Sequence, residues 1–312
     1  MMFGTRETFT YFQCAKCGCL QIAEIPDDLS RYYPPEYYSF NLSPERLFSN
    51  PLKNLLTRPR NRYAVLDKGT LGRLIYMILP NPDLRQLSHV GLREDSRVLE
   101  VGCGTGTLLY TLRTLGMTHL LGVDEYLEND IEYPNGLKIL RKSIDDVGGT
   151  WDLVMFHHTL EHMPEQAETL AAAAKRLSED GMCLLRIPTV SSYAWEHYGV
   201  NWVQLDAPRH LYLHSVESLT RLATKVGFHL ERLLYDSTDF QFWGSEQYAR
   251  DIPLRSERSY LENPERSIFS PEETRTFRRR ADDLNRQGRG DQAAFYLRKT
   301  STKSEAGSTK PK

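Results

Sequence analysis

Short apolar runs alternate with amphipathic stretches from about residue 97 almost to the end of the chain. A turn residue follows each run, as is typical of short buried strands. The predicted strands are RVLEVG (97–102), HLLGVD (119–124), LKIL (137–140), DLVMFH (152–157), MCLLRIP (182–188) and QAAFYLR (292–298). Because helical stretches separate them, they predict a parallel sheet covered by helices on both faces.

Apolar residues at helical spacing predict the intervening helices. Leu108, Leu112 and Leu115 share one face, and Gly116 follows as a stop. The same pattern predicts a helix over 60–79, one through Leu170, Ala174 and Leu177, one capped by Ser215 and closed by Gly227, and one from Pro271 with a Ser270/Glu273 capping box. The predicted class is α/β, with a doubly wound, mostly parallel sheet.

The chain divides into three regions of different composition. Residues 1–59 are rich in Cys, Tyr and Pro, as in RYYPPEYYSF, which favours extended structure and predicts a small appendage. Residues 60–300 form the main domain, and the polar tail 301–312 is predicted to be disordered. Within the main domain, residues 188–215 follow neither strand nor helix spacing, and long irregular segments of this kind are often functional.

Composition limits the possible partners. Lys and Arg number 39 against 41 Asp and Glu, a net charge of -2, so no strong basic field attracts nucleic acid or an anionic membrane. No apolar run approaches membrane-spanning length and no signal peptide is recognisable, so the cytoplasm is the expected location, without stable membrane insertion. Five cysteines, an odd number, favour free thiols or a metal over a disulfide framework.

VLEVGCGTGTLL (98–109) predicts a ligand site. A strand that turns through Gly102, Gly104 and Gly106 into a helix directs backbone N–H groups and the helix dipole to one point. Thr107 stands where a dinucleotide fingerprint has its third glycine, which weakens a dinucleotide interpretation. Asp124 ends the next strand, where a carboxylate can accept hydrogen bonds from a ribose. The ligand therefore contains a ribose and no pyrophosphate.

S-adenosylmethionine has such a ribose, and Glu100 is placed to receive the ammonium of its methionine arm. LEVGCGTG, GVD and TWDLVMFHHTLEHM together resemble a class I S-adenosylmethionine-dependent methyltransferase over about residues 60–300. The resemblance implies a Rossmann-like sheet of seven strands and this cofactor. The resemblance implies four groups of site residues: Glu100, Gly102, Gly104 and Gly106 at the methionine end; Asp124 at the ribose; Ser143, Ile144 and Asp145 at the adenine; and His157 under the sulfonium.

Methyl transfer is an in-line displacement, so the protein must align an acceptor and provide a base if the acceptor loses a proton. Two histidine sets follow strands: His157, His158 and His162, then His210 and His214. We favour His210 as the base because it lies in the irregular segment, flanked by Asp206 and Arg209, where an insertion would overhang the carboxyl ends of the strands. The alternative is that His210 only fixes the loop. Helix capping alone would explain Glu161 and His162.

The substrate side of the predicted site comprises Trp202, Asp206, Arg209 and Tyr212. The aromatic rings could stack on a substrate or anchor the loop, and Arg209 could meet a phosphate or carboxylate of the acceptor. The CxxC pair, YYPPEYY and W…DAPRHL resemble bacterial methyltransferases of sugar and polysaccharide biosynthesis and, more distantly, sugar C-methyltransferases with an N-terminal zinc ribbon.

In those C-methyltransferases the matching stretch is H-E-H-L, and its base falls on His210. Arg209 replaces the glutamate, which favours O-methylation of a sugar or related hydroxylated metabolite. Cys14 and Cys17 supply half of a zinc site. Either the start of the chain is truncated, a metal is shared with another chain, or zinc has been lost; loss or truncation is favoured, so no metal is expected. Alternatives are a lipid-linked or quinone-type acceptor, a non-catalytic S-adenosylmethionine-binding protein and, least favoured, a dinucleotide enzyme. The expected partner is a small molecule.

Overall fold

A computed structural model describes residues 2–33 and 43–300. The predicted disordered tail at 301–312 and most of YYPPEYY lie outside the described residues. The strands are β1 (Tyr11–Gln13), β2 (Leu20–Ile22), β3 (Val98–Val101), β4 (Leu120–Val123), β5 (Ile131–Glu132), β6 (Lys138–Leu140), β7 (Trp151–His157), β8 (Leu177–Pro188), β9 (Tyr212–Leu213), β10 (Phe228–Tyr235) and β11 (Gln292–Lys299).

The helices flank these strands in the chain order expected of an α/β fold. They are α1 (Pro44–Leu47), α2 (Pro51–Leu66), α3 (Thr70–Ile78), α4 (Pro82–Arg85), α5 (Thr107–Thr114), α6 (Gln166–Arg176), α7 (Tyr193–Tyr198), α8 (Val216–Lys225), α9 (Phe240–Ala249) and α10 (Pro271–Arg286). Within the described ranges, no helix combines the length and apolarity that crossing a bilayer requires.

Eight strands form the central sheet in the order β10-β11-β8-β7-β3-β4-β6-β5. Pairing is parallel from β6 through β4, β3 and β7 to β8, whereas β11 and the two-residue β5 pair antiparallel with their neighbours. The predicted doubly wound, mostly parallel sheet is confirmed. It has eight strands rather than seven, and β5 and β10 are the two that no named apolar run predicted. Because the chain leaves β3 towards β4 and later returns on its other side as β7, a crevice opens at the carboxyl ends of β3 and β7.

Side chains of successive strand residues enter different apolar layers. Val98 of β3 packs in a layer with Leu109 and Leu112 of α5. Leu99 packs in the opposite layer with Leu170 of α6 and Leu219 of α8. A parallel sheet covered on both faces buries every position, which is why its strands are continuous apolar runs rather than alternating ones.

Two predicted helix starts are confirmed, and in both a capping side chain fixes the first turn. Ser215 accepts the backbone N–H of Ser218, and the Ser270/Glu273 capping box is formed. The single helix predicted over 60–79 is wrong, because Asp67 and Gly69 adopt positive φ angles and separate α2 from α3. Leu177 begins β8 and does not end the preceding helix.

The N-terminal residues form a small sheet with the segment that had no predicted regular structure. β2 pairs with β1 and with β9, so Leu20 lies opposite Leu213. The Tyr11 hydroxyl also donates to the carbonyl oxygen of His210 at 2.7 Å. The appendage is therefore fastened to residues 188–215, and its expected boundary between residues 59 and 60 falls inside α2.

Candidate active site

The glycine loop follows β3 at the crevice. Gly102, Gly104 and Gly106 all have positive φ angles, of 68°, 54° and 74°, which favour glycine. A Cβ on Gly102 would lie 2.0 Å from Cγ2 of Thr159, and one on Gly106 would lie 2.4 Å from Cδ1 of Ile139. Two of the three glycines are thus required by the protein's own close packing as well as by the turn.

The Asp124 carboxylate, which follows β4, holds this loop. Its Oδ2 accepts the N–H of Gly104 at 2.9 Å, and its Oδ1 accepts the N–H of Tyr126 at 3.0 Å. Asp124 is buried, and burial raises the pKa of its carboxyl. The aspartate that was predicted to bind a ribose therefore sits against the glycine loop, at the edge of the crevice.

Glu100 is a buried carboxylate near the same point. Its Oε2 has no hydrogen-bond partner among the described residues, and burial with nearby Asp124 raises the pKa of Glu100 to about 8. Nδ1 of His157 lies 3.7 Å from Oε1 of Glu100, and burial lowers the pKa of His157 to about 3, so this imidazole is neutral. An unpartnered buried acid beside a neutral histidine fits a ligand that brings its own cation.

The turn predicted to border an adenine follows β6. Ser143 accepts the N–H of Asp145 at 3.1 Å and caps a 3-10 turn in which Ile144 is buried and Asp145 is exposed. Burial raises the pKa of Glu125, and the carboxylates of Asp124 and this turn raise it further. The structure therefore brings the turn to the end of β4 beside Asp124.

A second cluster of polar side chains follows β7. His158, at φ 51°, places Nδ1 3.4 Å from Oε1 of Glu161. Glu161 is fully buried, and neither carboxylate oxygen has a hydrogen-bond partner among the described residues. Although burial opposes ionisation, His158, His162 and His210 hold the pKa of Glu161 at about 2. We identified Glu161 only as a helix cap from the sequence, although HHTLEH follows a strand at the binding edge.

His210 lies against this cluster, 4.7 Å from His162 between ring centroids. Nδ1 of His210 lies 2.7 Å from the carbonyl oxygen of Gln204 and so carries the proton in the neutral ring. Burial and nearby His162 lower the pKa of His210 to about 4. The other nitrogen, Nε2, lies 3.9 Å from Oδ2 of Asp206 and retains its lone pair. His210 is thus a neutral imidazole that can accept a proton.

The side chains of His158, His162, Asp206 and His210 border a cavity of about 260 Å³. The cavity is lined by Met2, His158, His162, Val203, Gln204, Asp206, His210, Phe240, Leu254, Arg255 and Leu261. Histidines and a carboxylate thus line the cavity together with apolar side chains, a mixed lining that suits a small organic molecule with polar groups. Glu161, His162 and His210 also each offer one atom within 4.8 Å of the others, so this set could hold a metal ion.

Three of the predicted substrate residues do not line this cavity. Trp202 is fully buried and donates from Nε1 to Oδ2 of Asp291 at 2.9 Å. Arg209 pairs its guanidinium with Asp206 and donates to the carbonyl oxygen of Tyr32. Tyr212 pairs with Gln21 in the small sheet and stacks on His214. These side chains anchor the segment, whereas Asp206 alone of the four lines the cavity.

Replacing Trp202 with phenylalanine is expected to destabilise the fold by about 1–3 kcal/mol, because Asp291 loses a donor while remaining buried. Urea unfolding measures this cost, and the KM for the acceptor should not change. Trp195, which is partly exposed and 6.0 Å away, gives the matched phenylalanine control with a smaller cost. A raised KM for the acceptor, with an unchanged free energy of unfolding, would instead show that Trp202 stacks on the substrate.

Cys14 and Cys17 lie in the turn between β1 and β2. Backbone hydrogen bonds from Lys16 and Cys17 lower the pKa of the Cys14 thiol. Cys19 is buried, with its Sγ 3.9 Å from Nδ1 of His214. Across residues 2–33 and 43–300, no group of three metal-ligating side chains includes a cysteine.

The sheet order, the glycine turn and the acid after the second strand define an α/β protein that binds a nucleoside at the carboxyl ends of its strands. Residues 78–233, half of the chain, match the family described as Methyltransferase domain. The chain belongs to this family. It is an S-adenosylmethionine-dependent methyltransferase, and unpartnered Glu100 fits the ammonium of that cofactor.

Solved structures with a similar fold include three methyltransferase-type proteins. The cyclopropane synthase MmaA2 from Mycobacterium tuberculosis is 15% identical, with 80% of this chain and 98% of that chain covered and a TM-score of 0.44. The mycolic acid cyclopropane synthase CmaA1 is 17% identical, with 80% and 99% covered and a TM-score of 0.44. A SAM-dependent methyltransferase from Archaeoglobus fulgidus is 18% identical, with 74% and 100% covered and a TM-score of 0.42. No curated protein matches the sequence.

Proposed function

We propose that the protein methylates a hydroxyl oxygen of a sugar or a related hydroxylated small molecule. The observation that carries the proposal is His210, whose Nδ1 is tied to Gln204 while Nε2 keeps its lone pair at the cavity. A hydroxyl must lose a proton as it is methylated, and a neutral imidazole at hydrogen-bond distance is suited to take it. The cytoplasm is the proposed location.

The glycine loop, Glu100 and Asp124 would hold the cofactor, with Glu100 at its ammonium and Asp124 at its ribose. Ser143, Ile144 and Asp145 would border its adenine, and His157 would close the strand end beneath it. When bound there, S-adenosylmethionine supplies an electrophilic methyl group. The residues of the loop and strand ends bind and orient it, which is the main protein contribution to an in-line displacement.

His210 is held in the form that can take a proton, a neutral ring with a free lone pair on Nε2, although burial makes it a weaker base than an exposed imidazole. Nε2 would take the hydroxyl proton while the hydroxyl oxygen bonds to the methyl carbon and the carbon–sulfur bond of the cofactor breaks, so that a neutral thioether leaves. The Nδ1–H would stay hydrogen-bonded to the carbonyl oxygen of Gln204. Ionised Asp206 lies 3.9 Å from Nε2, and the buried carboxylate of Glu161 lies in the same cluster, so two negative charges stabilise the resulting imidazolium. Glu161 is a positioning residue in this scheme.

The size of the cavity supports a small acceptor over a lipid-linked or quinone-type one. A volume of about 260 Å³ lies just below the usual range for ligand pockets. Phe240, Leu254 and Leu261 share the lining with three histidines and an aspartate, whereas a quinone ring with its chain would require a wide apolar entrance. A hydroxylated ring fits the mixed lining better.

A transfer assay tests the proposal. The protein is incubated with S-adenosylmethionine carrying a ¹³C-methyl group and with panels of sugars, nucleotide sugars, quinols and lipid-linked sugars, and the products are examined by NMR. We expect a ¹³C-methoxy signal with a member of the sugar panels. A methyl group on carbon or nitrogen, or transfer to quinols alone, would overturn the proposal.

A further inference from the structure

The helical hairpin of α2 and α3 exposes an unusual number of apolar side chains. Eight of the 15 exposed large apolar residues in the described part of the chain belong to it or to the residue that follows α3, and they are 53% to 79% exposed. They are Leu52, Leu55, Leu56, Leu71, Leu74, Met77, Ile78 and Leu79. Large exposed apolar surfaces on folded proteins mark interaction sites.

The exposed residues repeat at helical spacing, and the hairpin is held firmly. Leu71, Leu74 and Ile78 recur at the first, fourth and eighth positions of one helical face. At the other end, Ala64, Val65 and Leu66 of α2 are buried in the core. A Cβ on Gly72 would lie 2.2 Å from the carbonyl oxygen of Pro59, so the two helices are in close contact. The apolar surface is therefore part of a rigid element.

The hairpin also carries a strong positive charge, although the whole chain has a net charge of -2. Residues 51–79 contain six Lys or Arg residues and one acid, Asp67. Lys53, Arg58, Lys68 and Arg73 are exposed and form no ion pair with any described residue. The hairpin is therefore locally cationic next to its exposed apolar side chains, although the whole chain is slightly negative.

We propose that the α2–α3 hairpin docks on an anionic lipid surface. Leucine, methionine and isoleucine side chains enter the boundary between head groups and acyl chains, while the cations contact lipid phosphates, the pattern of an interfacial amphipathic element. A second copy of this chain is a poorer occupant, because a self-association would bring two cationic surfaces together. The proposal does not depend on the acceptor of the methyl group.

Sedimentation with lipid vesicles tests this docking surface. We expect the full chain to pellet with phosphatidylcholine vesicles that contain phosphatidylglycerol, weakly with phosphatidylcholine alone, and less at high salt. Lys53→Glu/Arg73→Glu is expected to weaken binding by at least about 25-fold, since each cation contributes about fivefold. Leu74→Glu/Ile78→Glu is expected to abolish it, and Val200→Glu, at an equally exposed apolar site elsewhere, should bind as the wild type does.

Two further measurements test whether the variants are folded and whether the chain self-associates. Calorimetry with S-adenosylhomocysteine shows that each variant is folded, because none of these residues lies at the cofactor site. Light scattering reports the oligomeric state. Failure of the wild type to bind anionic vesicles, equal binding by all variants, or a dimer that Leu74→Glu/Ile78→Glu dissociates would each overturn the proposal. None of these outcomes bears on whether the protein methylates a sugar.

Discussion

Replacing His210 with alanine is expected to lower kcat for methyl transfer by about 10²–10⁴-fold and to leave the affinity for S-adenosylhomocysteine unchanged. The imidazole contacts Gln204, Asp206 and His162, whereas the glycine loop and Glu100 form a separate part of the crevice. Removing the ring therefore takes the proton-accepting group out of the substrate cavity and leaves the proposed cofactor-binding residues in place.

Single-turnover transfer with the acceptor found by NMR measures this loss. His119→Ala is the matched control, because His119 is exposed and lies outside both clusters. Circular dichroism and calorimetry with S-adenosylhomocysteine confirm that the variant is folded. Transfer at the wild-type rate would remove His210 from the mechanism and leave it as a residue that fixes the loop.

The central sheet could be predicted because its strands are buried on both faces. β3 and β7 are therefore continuous apolar runs, and each ends in residues that favour a turn. The two edge regions were harder to predict. β10 lies at the sheet edge and includes exposed Glu231 and Arg232, so its sequence has no clear apolar run. β5 is only a two-residue hairpin partner of β6.

Helices were predictable only when one face was exposed. α9 has seven buried residues among its ten, so its sequence lacks the apolar and polar faces that identify a helix. The break between α2 and α3 depends on the left-handed conformation of Asp67, which residues other than glycine uncommonly adopt. Local pattern could not reveal either feature.

Position along the chain was enough to predict that the proposed cofactor residues meet at the strand ends, but it was not enough to predict where the proposed substrate residues lie. Glu100 and Asp124 occupy strand ends, and parallel strands bring such ends together. The direction of Trp202 and Arg209 depends instead on Asp291, 89 residues away, and Tyr32, 177 residues away. Contacts between residues so far apart in sequence determine whether a loop side chain points into the core or into a cavity. The spacing of neighbouring residues gives no information about them.

The affinity for S-adenosylhomocysteine is expected to rise with pH, by up to about 30-fold between about pH 6 and pH 7.5. Burial and Asp124 raise the pKa of Glu100 to about 8 in the free protein, so the carboxyl is mostly protonated below that pH. The ligand's ammonium pairs with the ionised form, which lowers the pKa in the complex. Binding below pH 8 therefore releases a proton, and each pH unit of increase can strengthen binding tenfold.

Calorimetry in two buffers of different ionisation enthalpy measures the proton release directly. Glu100→Gln is expected to abolish the release and to weaken binding by about 10- to 100-fold, because the amide cannot form the charge-assisted hydrogen bond. His157, with a pKa of about 3, does not titrate in this range and cannot substitute for Glu100. Glu179→Gln, at an exposed carboxylate of β8, should behave as the wild type does. A wild-type affinity that is flat across this pH range would show that Glu100 is not the partner of the ammonium.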